Sequence, residues 1–285
     1  SLSLPIGNWS HYFALNGSQY SLPVAGINQG YTVEGQSRGF TWSSTYMLFR
    51  DQTRVFRAYG GLDISESRSF IEGFEIESQR RNIAVGNLGF RGEHTLASGQ
   101  LNWDFGVRFG LDAFGADILS ASIVEQEFLL WQGSLDYSHR FGESAFSYQG
   151  RLAAQASDDI LPGSEQFSIG GWSNVRGFHG DSMYGDSGVY LRNTLTWEAE
   201  PWSWGALSLS AGLDGGLGVP STLRSWNQRY LIGASLGAEL EIDALGTLSF
   251  DIAHALSRPD ENLPNSTDAF EDDLTVARIG LEIEF

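Results

Sequence analysis

Residues 101–112 read Leu101-Asn102-Trp103-Asp104-Phe105-Gly106-Val107-Arg108-Phe109-Gly110-Leu111-Asp112, and this stretch decides the fold. Leu101, Trp103, Phe105, Val107, Phe109 and Leu111 fall on one face; Asn102, Asp104, Gly106, Arg108, Gly110 and Asp112 fall on the other. A period of two is the side-chain repeat of a β-strand. It runs unbroken here, well past the roughly 5–6 residues of an ordinary soluble strand. The second face carries two aspartates besides an arginine, which suits neither the interior of a β-sandwich nor that of a lipocalin-like barrel. About 9–11 residues of such a strand cross a bilayer, with the apolar side in lipid and the polar side toward water.

The same alternation recurs in both directions. Upstream, Trp9, His11, Phe13 and Leu15 form one set, Phe40, Trp42, Tyr46 and Leu48 another, and a further strand runs through Phe56 and Leu62. From Asn82 to Phe90 the phase changes between Ile83/Val85 and Leu88/Phe90, which predicts a bulge near Gly86. Downstream, Leu129, Trp131, Leu135 and Tyr137 oppose Gln132, Ser134, Asp136 and Ser138, while Phe146, Tyr148, Leu152 and Ala154 oppose Gln149, Arg151 and Gln155. Five more such segments follow, starting near Val189, Leu207, Tyr230, Leu248 and Ala277, and no helical period of comparable length exists.

Connection lengths alternate too. Ile6-Gly7-Asn8, Asp51–Thr53, Ala97-Ser98-Gly99 and Gly142-Glu143-Ser144 are short; Ser65–Ser78, Gly115–Glu127, Asp158–Ser187, Gly218–Gln228 and Ser257–Asp273 are long. Tight periplasmic turns with longer extracellular loops make this rhythm in an up-and-down transmembrane β-barrel, and Trp202 and Trp204 at a short turn fit its aromatic girdle. The expected fold is therefore all-β, an antiparallel barrel over residues 1–285, with about a dozen full strands behind a stub at Ser1–Pro5. Such barrels carry even strand numbers, and the leading stub suggests that strands are missing before it.

Composition bounds the function. Of 285 residues, 41% are hydrophobic without any apolar run long enough for a transmembrane helix. A formal charge of −18 argues against a nucleic-acid partner, since phosphate binding needs a basic face. With no cysteine there is no disulfide framework or thiolate metal site. His11, His94, His139, His179 and His254 lack metal-ligand spacing. Asp260, Glu261, Asp268, Glu271, Asp272 and Asp273 read as a solvated loop face. No nucleophile elbow or phosphate-binding loop is present, so neither enzymatic activity nor any cofactor or metal is expected. No signal peptide precedes Ser1, as in a mature or truncated chain.

The long connection Asp158–Ser187 is expected to work rather than merely link. Within it, Glu165-Gln166-Phe167-Ser168-Ile169-Gly170-Gly171, then Val175-Arg176-Gly177-Phe178, then Gly185-Asp186-Ser187-Gly188 resemble the sixth-loop signature of two-partner secretion transporters, the TpsB family (FhaC-, ShlB- and CdiB-like). Leu4-Pro5-Ile6-Gly7 resembles the turn closing that family's fourth strand, Ala211–Gly216 its thirteenth-strand motif, and Phe285 the outer-membrane insertion signal. One departure is Thr194, where the family usually carries Glu.

The resemblance implies an outer-membrane pore of a Gram-negative bacterium that secretes a large unfolded TpsA-type partner, an adhesin, haemolysin or contact-dependent toxin. A barrel-assembly insertase of the same superfamily and a passive porin are the alternatives. It implies that the loop re-enters the lumen, where Arg176 locks onto Asp214 while Val175, Gly177, Phe178, Gly170 and Gly171 shape the motif. In a wet lumen that bond would contribute roughly 1–3 kcal/mol. Asn102, Asp104, Arg108, Gln132, Asp136, Gln149 and Arg151 are expected to line the pore. The resemblance implies a barrel of sixteen strands when complete; the family's N-terminal plug helix, two periplasmic POTRA domains and first three strands have no counterpart in the sequence. Expected partners are outer-membrane lipid, lipopolysaccharide and, during biogenesis, the barrel-assembly machinery; the pore itself would be monomeric.

Overall fold

The structure is a computed structural model that describes residues 1–24, 31–118, 124–178, 183–219, 230–242, 245–257 and 275–283. The described residues form antiparallel strands, with one turn of 3-10 helix at Glu77–Gln79. They divide into two compact units. The first comprises 1–92, 104–132 and 157–164; the second comprises 93–103, 133–156 and 165–285.

In the first unit, β1 (Leu2–Ile6), β2 (Trp9–Val24), β3 (Tyr31–Arg50) and β4 (Arg54–Ile71) succeed one another as an up-and-down sheet. A short β5 (Phe74–Glu75) folds back on β4; then β6 (Arg81–Leu96), β7 (Gly99–Gly110) and β9 (Leu129–Arg140) continue the order, with β8 (Asp117–Ile118) paired to β6. In the second unit the order is β7-β9-β10 (Phe146–Ser157), then β13 (Ser187–Glu198), β14 (Gly205–Val219), β15 (Tyr230–Ile242), β16 (Gly246–Ala255) and β17 (Thr275–Glu282). β11 (Phe167–Ile169) and β12 (Met183–Gly185) form a separate two-stranded ribbon inside the long connection.

Apolar residues of the strands face outward. Phe105, Trp131, Leu152, Leu195, Leu213, Leu236 and Ile279 are all exposed, and outward rings stack across neighbouring strands, Phe105 on Trp131 at 5.8 Å and Phe56 on Phe90 at 5.8 Å. An apolar surface this extensive is stable only against lipid. Trp202 and Trp204 meet edge to face at 5.2 Å around the turn between β13 and β14. At the turn between β3 and β4, the Asp51 carboxylate accepts the Thr53 and Arg54 N–H groups at 2.8 and 2.7 Å and pairs with the Arg54 guanidinium. These donors, the Thr53 N–H foremost, hold the Asp51 carboxyl well below the usual carboxylate range.

Two readings of the sequence change. Ser65–Ser78 is mostly strand: Ser65–Ile71 pairs with Val33–Gly39, and the chain turns at Glu72 and Gly73 with φ of 52° and 78°. Beyond the lipid both faces of a hairpin are wet, so no alternation marks it; pairs such as Arg38 opposite Glu66 carry it instead. No slip occurs at Gly86 either. Ile83, Val85, Gly89 and Arg91 keep one phase, that of Asp104, while Leu88 and Phe90 keep the exposed one. A register irregularity lies between Met47 and Phe49, where β3 pairs with β4.

Ile83 and Val85 are apolar on the polar face because they cover Leu161 from the long connection, together with Phe128 and Leu130. Around this first anchor, the Glu125 N–H bonds the Ile160 carbonyl at 3.1 Å and the Leu129 N–H bonds Asp159 at 2.7 Å. Leu161→Ala is expected to weaken the anchor by about 2–5 kcal/mol. Hydrogen exchange at the Glu125 and Leu129 amides should accelerate accordingly, and unchanged exchange would show that the apolar cluster does not hold this segment.

Candidate functional site

The second unit holds the rest of the long connection against the polar face of β13–β16. The two Gly-rich halves of the loop motif meet in the ribbon, where Phe167 pairs with Gly185 and Ile169 with Met183. The Phe167 ring stacks on Tyr190 at 5.7 Å. Gly170 and Gly171 then reverse the chain with φ of 113° and 101°, values that L side chains rarely adopt. Asn174 fixes that reversal: its Oδ1 accepts the Gly170 and Val175 N–H groups at 2.8 and 2.7 Å, and its Nδ2 donates to the Ser168 carbonyl at 3.0 Å. Val175 and Phe178 insert among Ala153, Ile169, Tyr190, Leu231 and Ala255.

Between those two apolar residues lies Arg176, 6% exposed, against Asp214, 1% exposed. Asp214 Oδ2 accepts the Arg176 backbone N–H at 3.1 Å and its Nε at 2.6 Å; Oδ1 accepts Nη2 at 2.7 Å and the Asn193 N–H at 3.1 Å. The carboxylate is thus fully satisfied by a bidentate fork and two backbone donors. Arg176 Nη2 also donates to the Asn193 carbonyl at 2.6 Å. The pair is dry, not wetted as the sequence suggested, because Ile169, Val175, Phe178 and Leu231 close over the same patch. Removing one partner of such a pair costs about 3–5 kcal/mol, since it strands the other charge.

The pair also bites into the wall. β13 and β14 are in register from Ser187↔Val219 to Leu191↔Gly215 and again from Thr194↔Gly212, but the rungs at Arg192 and Asn193 are open. The Asn193 N–H and C=O that would close a rung are instead taken by Asp214 and Arg176. The Leu213 carbonyl, left over, accepts Asn193 Nδ2 at 2.9 Å, and Tyr148 donates its hydroxyl to Asn193 Oδ1 at 2.6 Å. Asn193 and Tyr148 share the phases of Leu191 and Leu152 on the apolar face, where an unsatisfied polar group has no water to turn to. Tyr148→Phe is expected to cost about 1 kcal/mol. That should lower the denaturant midpoint of the reconstituted protein with its slope unchanged; an unmoved midpoint would show Asn193 to be satisfied without the phenol.

Glycines make the close approach possible. A Cβ on Gly233 would lie 1.7 Å from the Arg176 carbonyl oxygen, one on Gly212 would lie 2.2 Å from Arg176 Nη2, and one on Gly216 would lie 2.5 Å from Ile169 Cγ2. Gly177, at φ of 101°, runs against the backbone of His254 and Ala255.

The other residues singled out in the sequence divide between the units. In the first, Asp104 accepts the Tyr59 hydroxyl at 2.6 Å and lies 3.7 Å from Arg91, Gln132 approaches the same hydroxyl, and Arg108 lies 3.7 Å from Asp63. In the second, Asn102, Asp136, Gln149 and Arg151 border one cavity. Phe285, His179 and the acidic residues of the last long connection lie outside the described residues. Among the described residues no three His, Asp or Glu side chains converge as a metal site. Asn174, Asn193, Gly233 and Leu161 were not singled out in the sequence, and Tyr148 was read only as one of an apolar set. A local signal was available for the cover of each apolar cluster: Leu129-Leu130-Trp131 and Tyr230-Leu231-Ile232 break the alternation, and their middle residues are the buried ones, Leu130 against Leu161 and Leu231 with Val175 and Phe178.

Residues 1–240 match the family model described as haemolysin secretion/activation protein ShlB/FhaC/HecB. Among curated proteins, the chain is 29% identical over 220 residues to the outer membrane transporter CdiB of Dickeya dadantii, covering 75% of this chain and 39% of that one. It is 27% identical over 214 residues to the hemolysin transporter protein ShlB of Serratia marcescens, covering 73% and 38%. Among solved structures it resembles CdiB from Escherichia coli, with a TM-score of 0.80 at 23% identity over 96% of this chain and 50% of that one. CdiB from Acinetobacter baumannii gives 0.79 at 23% identity, over 99% and 48%. The fold is that of a transmembrane antiparallel β-barrel. The chain spans about half the length of those structures and just under two-fifths of those curated relatives.

Proposed function

The chain belongs to the ShlB/FhaC/HecB family of two-partner secretion proteins, and from that premise we propose that it forms the translocation pore through which a large, unfolded, TpsA-type partner leaves the cell. Its place is the outer membrane of a Gram-negative bacterium. The partner is an adhesin, haemolysin or contact-dependent toxin, and the pore works as a monomer without enzymatic activity or a cofactor. Lipid and lipopolysaccharide surround its apolar face; the barrel-assembly machinery inserts it, reading Phe285.

The observation that carries this reading is the buried Arg176–Asp214 pair, which ties a loop bearing the family motif to the polar face of β14. A loop held by one dry ion pair and a glycine-lined seat has two defined positions, docked and released, and a gated passage needs such an element. Val175 and Phe178 seat the motif, while Gly170, Gly171 and Gly177 give its backbone the turns. Asn102, Asp104, Arg108, Gln132, Asp136, Gln149 and Arg151 would hydrate the passage. A passive porin has no use for a dry tether, and an insertase would not depend on one dedicated cargo.

The test is a search beside this gene for one encoding a very long, repeat-rich secreted protein, and co-expression of that protein with the full-length transporter. Appearance of that protein in the medium is expected. A steady open conductance insensitive to Arg176, with no export, would instead mark a porin.

A further inference from the structure

β10 and β13 place Arg151 and Arg192 directly opposite each other as Cα partners, both on the polar face. Like charges in that position repel. The two side chains border one cavity of about 280 Å³ together with Asp136, Gln149, Asn102 and Thr194. Two arginines against one aspartate leave this wall with a surplus of one positive charge, in a chain whose formal charge is −18. Neither guanidinium is saturated. Arg151 stands 3.6 Å from Asp136, an ion-pair distance without a hydrogen bond, and its side chain is 50% exposed; Arg192 makes one long contact, 3.4 Å, to the Ser173 carbonyl. Asp214 offers them no hydrogen bond, since Arg176 and the Asn193 N–H already fill both its oxygens. An arginine fork presents paired donors that match the two oxygens of a carboxylate. One such group seated between Arg151 and Arg192 would cancel their repulsion and take further hydrogen bonds from Gln149, Asn102 and Thr194.

We propose that this cavity is a carboxylate site, taking an aspartate or glutamate side chain of the polypeptide that passes along the polar face. This rests on the secretion reading. The surplus is small and the cavity half-open to water, so capture is brief and salt-sensitive, as a passing chain requires.

The test is equilibrium binding to the purified full-length transporter in detergent. It is read by fluorescence anisotropy of a short Gly-Ser peptide carrying two glutamates and a neutral dye, with the glutamine version of the peptide and inorganic phosphate as comparison probes. The glutamate peptide is expected to bind roughly ten-fold tighter than the glutamine peptide, the worth of one charge-assisted hydrogen bond. Arg151→Gln should erase that preference. So should Thr194→Glu, which supplies the cavity with a carboxylate of the chain's own while removing no cation. Equal binding of the two peptides overturns the proposal, and so does a preference that survives both substitutions. Phosphate binding at this site without any glutamate preference overturns the polypeptide as its source. Export of the partner by the wild type, measured in parallel, separates the two readings: normal export with no glutamate preference sinks the cavity alone, while absent export sinks the transporter.

Discussion

Replacing Arg176 by alanine is expected to reduce export of the partner at least ten-fold while the barrel still folds and inserts. The guanidinium makes three hydrogen bonds, two to Asp214 and one to the Asn193 carbonyl. Its loss leaves the Asp214 carboxylate in a dry patch, at a cost of about 3–5 kcal/mol. The cheapest escape is to release the loop and hydrate the acid. The sheet itself tolerates this, because the freed Asn193 N–H and C=O can close the open rung with Leu213. Partner in the culture medium reports the first effect, and heat-modifiable gel mobility of the membrane fraction reports the second. Full export by the variant would end the lock's role. Asp214→Ala strands a buried cation instead, and the double variant Arg176→Ala/Asp214→Ala is expected to be no worse than Asp214→Ala alone, because the two residues act as one unit.

Gly233→Ala is expected to match that loss without touching any charge. Its Cβ would stand 1.7 Å from the Arg176 carbonyl oxygen and 2.9 Å from the carbonyl carbon, so rigid backbone rather than a side-chain tip must move. Overpacking of this kind costs about 1–3 kcal/mol where neighbours can shift. Here they cannot shift without drawing Arg176 away from Asp214, so the loop should undock. Limited proteolysis between Gly170 and Phe178 should become fast in both Arg176→Ala and Gly233→Ala. Gly215→Ala is the control on the neighbouring strand: its nearest atom, the Leu231 carbonyl oxygen, is 3.9 Å away, and export should be unchanged. Slow cleavage in Gly233→Ala would show that the seat yields more than its geometry suggests.

Both expectations depend on residues of different legibility. Arg176 and Asp214 were readable through the resemblance of the segments around them, and Asp214 also through its phase opposite Leu213. Gly233 was not readable, since a glycine within a strand looks the same whether it faces open space or another backbone. Nor was Asn193, whose outward phase marks it as one polar residue on a greasy face. Its partners are set by an opening in the β13–β14 ladder, and that opening exists only because the loop is docked.

The sequence by itself determined the all-β class, the antiparallel order and the outward direction of Trp103, Phe105 and Leu213, because lipid on one side and water on the other impose a repeat of two that any single strand displays. Leu130 and Leu231 interrupt that repeat, but the alternation around them hid the break. The tertiary structure alone decided that those residues cover parts of the long connection, that the Arg176–Asp214 pair is dry, and that Arg151 stands opposite Arg192. Each of these depends on which residues far apart along the chain share a rung or a seat, and a periodic pattern carries no record of register between strands.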